Sequence, residues 1–178
     1  MSRRSTVWPG SAIVALTVAA AWPSHAQSIA SPFATTSVTI AGKMIGVEYY
    51  APSMRGRKIM GGLVPFGEVW CTGANWATKI TSEAGLTLGD LKLPKGSYSI
   101  WTIPGERDWT LIINRQTGQF HLNYDQSRDF GRIKMNVKKL AAPVETFKID
   151  LRSGGGDKGT LALLWETTEA SIPFTVVP

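Results

Sequence analysis

From about residue 36 to its end the chain repeats one pattern: short runs of alternating apolar and polar side chains, punctuated by Gly, Pro, Asn and Asp. Successive side chains of a strand point to opposite faces, so a period of two marks strands that bury one face. No helix-period stripe is long enough to pack, and no internal repeat, heptad or low-complexity tract appears. The expected fold is all-β: a single β-sandwich domain of mainly antiparallel strands. Strands are expected near 36–40, 45–50, 69–72, 77–82, 85–88, 97–102, 109–114, 119–124, 132–137, 146–151, 160–165 and 171–176.

Three runs alternate cleanly enough to assign faces. Phe120, Leu122 and Tyr124 are expected inward, with His121, Asn123 and Asp125 on the other face. Ile133, Met135 and Val137 are expected inward, with Arg132, Lys134, Asn136 and Lys138 outward. Phe147, Ile149 and Leu151 are expected inward, with Lys148, Asp150 and Arg152 outward. Residues 109–113 are apolar on both faces and read as a central, doubly covered strand. Leu93-Pro-Lys-Gly96 suits a type I turn. Ser153-Gly-Gly-Gly-Asp-Lys-Gly159 reads as a hairpin tip; a phosphate cradle would need a helix behind it, and a strand follows.

Residues 1–26 are expected to be a cleaved signal peptide. Arg3 and Arg4 supply the positive start, Ser11 to Ala21 the apolar run, and Ser24-His25-Ala26 the small-residue cleavage site. That run falls short of the roughly 20 residues a transmembrane helix needs, and no cysteine follows the cleavage point for a lipid anchor. The expected product is one exported domain, 27–178, periplasmic or extracellular. Without Arg3 and Arg4 it carries 17 basic and 13 acidic residues, so the formal charge falls from +6 to +4. The bases are dispersed, which suits solubility or attraction to anionic envelope polymers. No basic helix or basic-aromatic motif points to nucleic acid. A single cysteine, Cys71, excludes an internal disulfide, and His121 alone after the cleavage point argues against a histidine-rich zinc site. No cofactor and no metal are expected.

The stretch RGRKIMGGLVPFGEVWCTGANWATKIT, followed by LPKGSYSIWTIPG and DWTLIIN, closely resembles a bacterial exported family, domain of unknown function 2911 (DUF2911). Tyr124-Asp-Gln-Ser-Arg-Asp129, Glu145-Thr-Phe147 and Leu161-Ala-Leu-Leu-Trp-Glu-Thr-Thr168 extend the resemblance over nearly the whole expected mature chain. It implies an exported, largely β domain and assigns no activity. Two positions depart from the family pattern: Cys71 stands where an arginine is usual, and Trp76 where an acidic residue is usual. If those positions form an ion pair across the hairpin, exchanging both partners together is nearly neutral, whereas losing one buried partner costs about 3–5 kcal/mol.

Candidate chemistry is sparse. Cys71 is either a nucleophile, which would need His121 as its base, or a small buried hydrophobe. Trp70, Trp76, Trp101 and Trp109 lie close in sequence and serve either as core or as a platform for a sugar ring or another flat ligand. Asn75 either closes its turn or contacts a ligand. His121, Asp125 and Asp129 form a candidate acid/base set, with a solvated outer face as the competing reading. Asp125-x-Ser127-x-Asp129 imitates half a calcium loop, but Phe130 replaces the needed glycine. Arg55-Gly-Arg57-Lys58 is a cationic loop able to hold a carboxylate or phosphate.

The leading expectation is a non-catalytic ligand-binding or envelope-associated module for a small molecule or a glycan. Its site would combine Trp70, Asn75, Tyr98 and Trp101 with Arg55 or Arg57 as the polar anchor. One alternative is a small exported hydrolase using Asp125, Asp129 and His121. Another is a structural partner of an envelope protein, docking through an exposed sheet edge.

Overall fold

The computed structural model describes residues 31–177, and the expected signal peptide lies outside the described residues. Among the described residues the chain is all β apart from one 3-10 turn: β1 (Phe33–Ile40), β2 (Lys43–Tyr50), β3 (Thr78–Ser82), β4 (Gly85–Leu88), β5 (Leu91–Leu93), β6 (Gly96–Ile103), β7 (Trp109–Asn114), the turn Gln126–Arg128, β8 (Asp129–Gly155) and β9 (Lys158–Val177). They form one nine-stranded sheet in the order β1-β2-β3-β6-β7-β8-β9-β4-β5, with every pairing antiparallel. No helix among the described residues is long and apolar enough to cross a membrane.

Local chemistry sets the hairpins. Ala41 and Gly42 join β1 to β2 with φ of 50° and 72°. Two central residues at positive φ give the type I′ turn, whose twist matches that of the strands it joins. Gly89, at φ 56°, opens the two-residue link between β4 and β5.

The last two strands bend. Asp157 and Val176 would stand about 60 Å apart in a straight strand, yet the Val176 amide donates to the Asp157 carbonyl at 2.8 Å. Two interruptions of the β8–β9 register, around 140–147, give β8 extra residues against its partner, and Glu166 opposite adopts φ 52°. Extra residues in one strand bend it and raise its twist. The fold-back brings β8 against β1, and Tyr49 of β2 meets Phe147 of β8 edge-on at 5.7 Å.

One large core results. It gathers Ile45 and Val47 of β2, Leu111 and Ile113 of β7, Phe147 and Ile149 of β8, and Leu163 and Trp165 of β9. Removing a ring such as Phe147 or Trp165 from such a core costs about 3–5 kcal/mol. On the other face of β7, Ile112 joins Cys71, Ala77 and Trp101 in a second, smaller core. The doubly covered central strand is therefore β7. The expected faces also hold along β8: Met135, Phe147, Ile149 and Leu151 are buried, while Lys134, Asn136, Lys138 and Lys148 are exposed.

Some expectations fail. Residues 132–137 and 146–151 belong to one strand, β8, and 160–165 and 171–176 to β9. Residues 69–72 make a single bridge, Trp70 to Thr102. Residues 119–124 are not a strand: Phe120 bridges Trp76, and then the chain turns as the Asn123 amide donates to the Phe120 carbonyl. Phe120 and Leu122 are 40% and 75% exposed, which overturns their inward assignment. His121, Asn123 and Asp125 consequently share no strand face. Alternation over six residues carried that reading, and the turn bonds override it.

The fold-back is also clasped by charge. Glu169, buried on β9, accepts from Arg152 at 3.3 and 3.4 Å and pairs with Lys138 at 3.1 Å; Arg152 Nε also donates to Asp150 at 3.0 Å. Burial pushes the Glu169 carboxyl up, but the bonds from Arg152 and Lys138 outweigh it and hold the pKa below the ordinary 4.5. A depressed folded pKa means the stabilisation is present above about 4.5 and is lost as pH falls through the lowered folded value. Glu169→Gln is therefore expected to cost about 2 kcal/mol at pH 7, roughly 4–8 °C of melting temperature. Thermal denaturation at pH 7 and pH 3 should show the gap between variant and parent narrowing in acid.

Candidate functional site

The segment 51–77, between β2 and β3, carries the cationic loop and the Trp70 turn, and two glutamates on β8 and β9 hold it. The Arg55 amide donates to Glu145 Oε1 at 2.8 Å, and the Met54 amide to the Glu145 carbonyl at 2.8 Å. The Ile59 and Met60 amides donate to the two carboxylate oxygens of Glu166 at 3.4 and 3.2 Å. Ile59, Met60 and Val64 sink into the main core and fix the loop from beneath. Arg57 spends two of its five N–H groups on the carbonyls of Met54 and Ser53, at 3.0 and 2.8 Å. Arg55, Arg57 and Lys58 remain at the surface.

Below this loop is a cleft of about 330 Å³, lined by Arg55, Arg57, Leu63, Trp70, His121 and Trp165 among others. Its floor is aromatic. Trp70 stacks on Trp165 at 5.7 Å and 21°, and meets Phe147 and Trp109 edge-on at 5.1 and 6.3 Å. Both indole N–H groups are held by carbonyls, Trp70 by Gly73 at 3.2 Å and Trp165 by Glu145 at 3.2 Å. Aromatic rings locked this way present fixed faces at little entropic cost.

The turn after Trp70 is strained and over-determined. Thr72 and Asn75 have φ of 56° and 60°. Such a backbone is tolerable for asparagine but costs a β-branched threonine about 1–3 kcal/mol. Thr72 is fully buried; its hydroxyl donates to Thr102 Oγ1 at 3.2 Å, and its carbonyl accepts from Thr78 Oγ1 at 2.7 Å. The Asn75 carbonyl accepts the His121 amide at 2.9 Å, which sets His121 on the cleft wall.

Arg55, Arg57, Trp70 and His121 are thus brought together, with Asn75 behind them as the turn that places His121. Tyr98 and Trp101 do not open on this cleft. Tyr98 donates to the Pro94 carbonyl at 3.1 Å and packs on Phe130. Trp101 is 1% exposed, its indole N–H bonded to Ser99 at 2.9 Å. Asp125 and Asp129 are engaged elsewhere. Asp125 caps the 3-10 turn through Ser127 at 2.9 Å, and this bonding lowers its pKa. Asp129 accepts from Tyr124 at 2.7 Å, Asn114 at 2.9 Å and Arg132 at 3.0 Å. Burial first, then Asp129, raises the Tyr124 hydroxyl to about 12, so it stays a donor. Trp165, Glu145 and Glu166 were not among the sequence candidates; their signal was the Glu145-Thr-Phe147 and Trp165-Glu166 portions of the family pattern.

Cys71 lies in the second core, 4% exposed, while Trp76 is 49% exposed and packs edge-on against Phe120. Burial pushes the Cys71 thiol up to about 12. The thiolate is the nucleophile, so the nucleophile reading fails on the buried side chain itself. With its pKa raised so far by burial, the thiol stays protonated at pH 8. Native protein is expected to resist iodoacetamide at pH 8 and to label fully in denaturant; mass spectrometry after a timed exposure checks both.

Residues 31–174 match the family DUF2911, whose function is unknown. No curated protein and no solved structure matches the chain. The matched span takes in the cationic loop, the Trp70 turn and the Trp165-Glu166 bend that together build the cleft, and on that match the chain belongs to DUF2911.

Proposed function

We propose that this is an exported binding module, folded as a β-sandwich, whose cleft takes a small anionic ligand with a flat apolar body. One observation carries the reading: two surface arginines and His121 share a single cleft with an immobilised Trp70–Trp165 floor. A flat apolar group resting on Trp70 shields aromatic surface from water at about 25 cal/mol per Å². A carboxylate or phosphate beside the Arg57 fork gains charge-assisted hydrogen bonds. Aromatic floor and cationic rim together select ligands that carry both features.

Two layers are supported by the fold-back of β8 and β9, by the contact of β1 with β8, and by the Arg152–Glu169 clasp across the bend. Export rests on the basic, apolar and small-residue order of residues 1–26. A binding role fits the cleft better than hydrolysis does. The three acid/base candidates hold separate posts, with Asp125 and Asp129 already committed to Ser127, Tyr124, Asn114 and Arg132.

Thermal shift with benzoate, indole-3-acetate and inorganic phosphate tests the cleft, since a ligand of the folded state raises the melting point by mass action. The aromatic carboxylates are expected to stabilise the protein more than phosphate does. Arg57→Ala is expected to weaken them about tenfold, equivalent to about 1.4 kcal/mol. Equal response to all three probes, or none, would overturn the cleft assignment. Export has its own check: the full chain with a C-terminal tag, expressed in a bacterium, should yield a product that begins at Gln27 by intact-mass analysis.

A further inference from the structure

A second hollow lies on the other side of the Thr72–Trp76 turn, and its chemistry is different. About 200 Å³ in volume, it is lined by Phe33, Glu48, Tyr50, Trp76, Lys79 and Gly118 among others. Strand register accounts for the grouping. Phe33 is paired with Tyr50, and Glu48 with Lys79, so alternation turns all four side chains to one face of β1, β2 and β3. Trp76 reaches the same hollow from the turn.

Phe33 and Trp76 are 57% and 49% exposed. Neither is adrift. Phe33 stands edge-on to Tyr50 at 5.5 Å and 66°, and Trp76 edge-on to Phe120 at 5.8 Å and 85°. In the same hollow, Lys79 Nζ pairs with Glu48 Oε2 at 2.9 Å, both side chains being a third to a half exposed. A pair so open to water adds little to folding, and two large exposed rings contribute little to the core. The arrangement is not explained by stability.

We propose that this hollow is a saccharide site, holding one pyranose ring of a neutral glycan. The apolar C–H face of a pyranose matches an oriented aromatic ring, and its hydroxyls both donate and accept. Lys79 offers donors and Glu48 acceptors, so hydroxyls can replace the water that ligand entry removes from the pair. A purely apolar ligand would strip that pair of water without compensation. An anion would meet Glu48, and a cation Lys79, so the balanced pair selects a neutral polyol. The volume suits one sugar ring with its neighbours running out over the exposed face. This site is separate from the cationic cleft and does not depend on the ligand proposed there.

Trp76 is the most exposed of the described tryptophans, so its emission reports occupancy. The full chain is titrated with glucose, galactose, mannose and N-acetylglucosamine, and with β-linked tetramers of glucose and N-acetylglucosamine. At least one probe is expected to give a saturable blue shift, with the tetramer binding more tightly than its monomer. Phe33→Ala and Trp76→Ala are each expected to weaken binding at least tenfold, read by calorimetry where the tryptophan is lost. Glu48→Gln should weaken it several-fold, and Lys134→Ala, on the outward face of β8, should bind like the parent. Melting temperatures of the variants within a few degrees of the parent show that they fold. Absence of saturable binding by every probe overturns the proposal, as does binding that survives both aromatic substitutions. Concentration-dependent self-association abolished by Trp76→Ala would also overturn it, assigning the rings to a protein contact.

Discussion

Glu166 sits inside β9 at φ 52°, where an L side chain is strained by about 1–2 kcal/mol. The strain persists because several partners hold it. Its carboxylate accepts the Ile59 and Met60 amides, and neighbouring Trp165 is buried with its indole N–H on the Glu145 carbonyl. Glu166 stands opposite the bulged stretch of β8, so the extra residues of β8 and the turned backbone of β9 coincide at the bend. Across that bend Arg152 of β8 reaches Glu169 of β9. Glu166 also anchors the 55–64 loop through two amides, and its neighbour Trp165 stacks on Trp70. Bend and cleft therefore meet at one residue.

That coupling shows how strands and loops, nearly helix-free among the described residues, build a rigid site on a loop. Loop residues are ordinarily mobile because few of their backbone groups are paired. Here the 51–77 segment gives four amides to two glutamates and places Ile59, Met60 and Val64 in the core. The cations are left outermost, on a backbone that is already fixed. A ligand meeting them would have little ordering left to impose, which favours affinity for a given contact area.

Much of this architecture was legible in the sequence because burial on one face writes a period of two. Residues 85–88 and 109–114 coincide with β4 and β7 as read, and the faces around Met135 and Ile149 follow from alternation alone. Residues 139–145 carry Ala141, Ala142 and Pro143 without alternation and look like a loop; bulges keep them in β8 nonetheless. The error at 119–124 has the opposite origin. Phe120 and Leu122 alternate with polar residues by chance, while main-chain bonds to Asn75 and within the turn decide the conformation. In the cleft, the cations and Trp70 were visible as residue types near one another in sequence. Trp165 was not, because its approach to Trp70 depends on a bend about 95 residues further along that no local pattern announces. Tyr98 and Trp101 were drawn into the expected site by proximity in the chain, and strand alternation sends them to opposite faces of β6.

The stacked pair of indoles on the cleft floor has an optical consequence. At 5.7 Å and nearly parallel, Trp70 and Trp165 lie close enough for their excited states to mix, and Trp109 stands only 6.3 Å from Trp70. Rings this close exchange excitation, so the three indoles share their emission instead of reporting separately. The molecule thus carries a built-in optical gauge of its own interior, sensitive to any tilt of one ring against another.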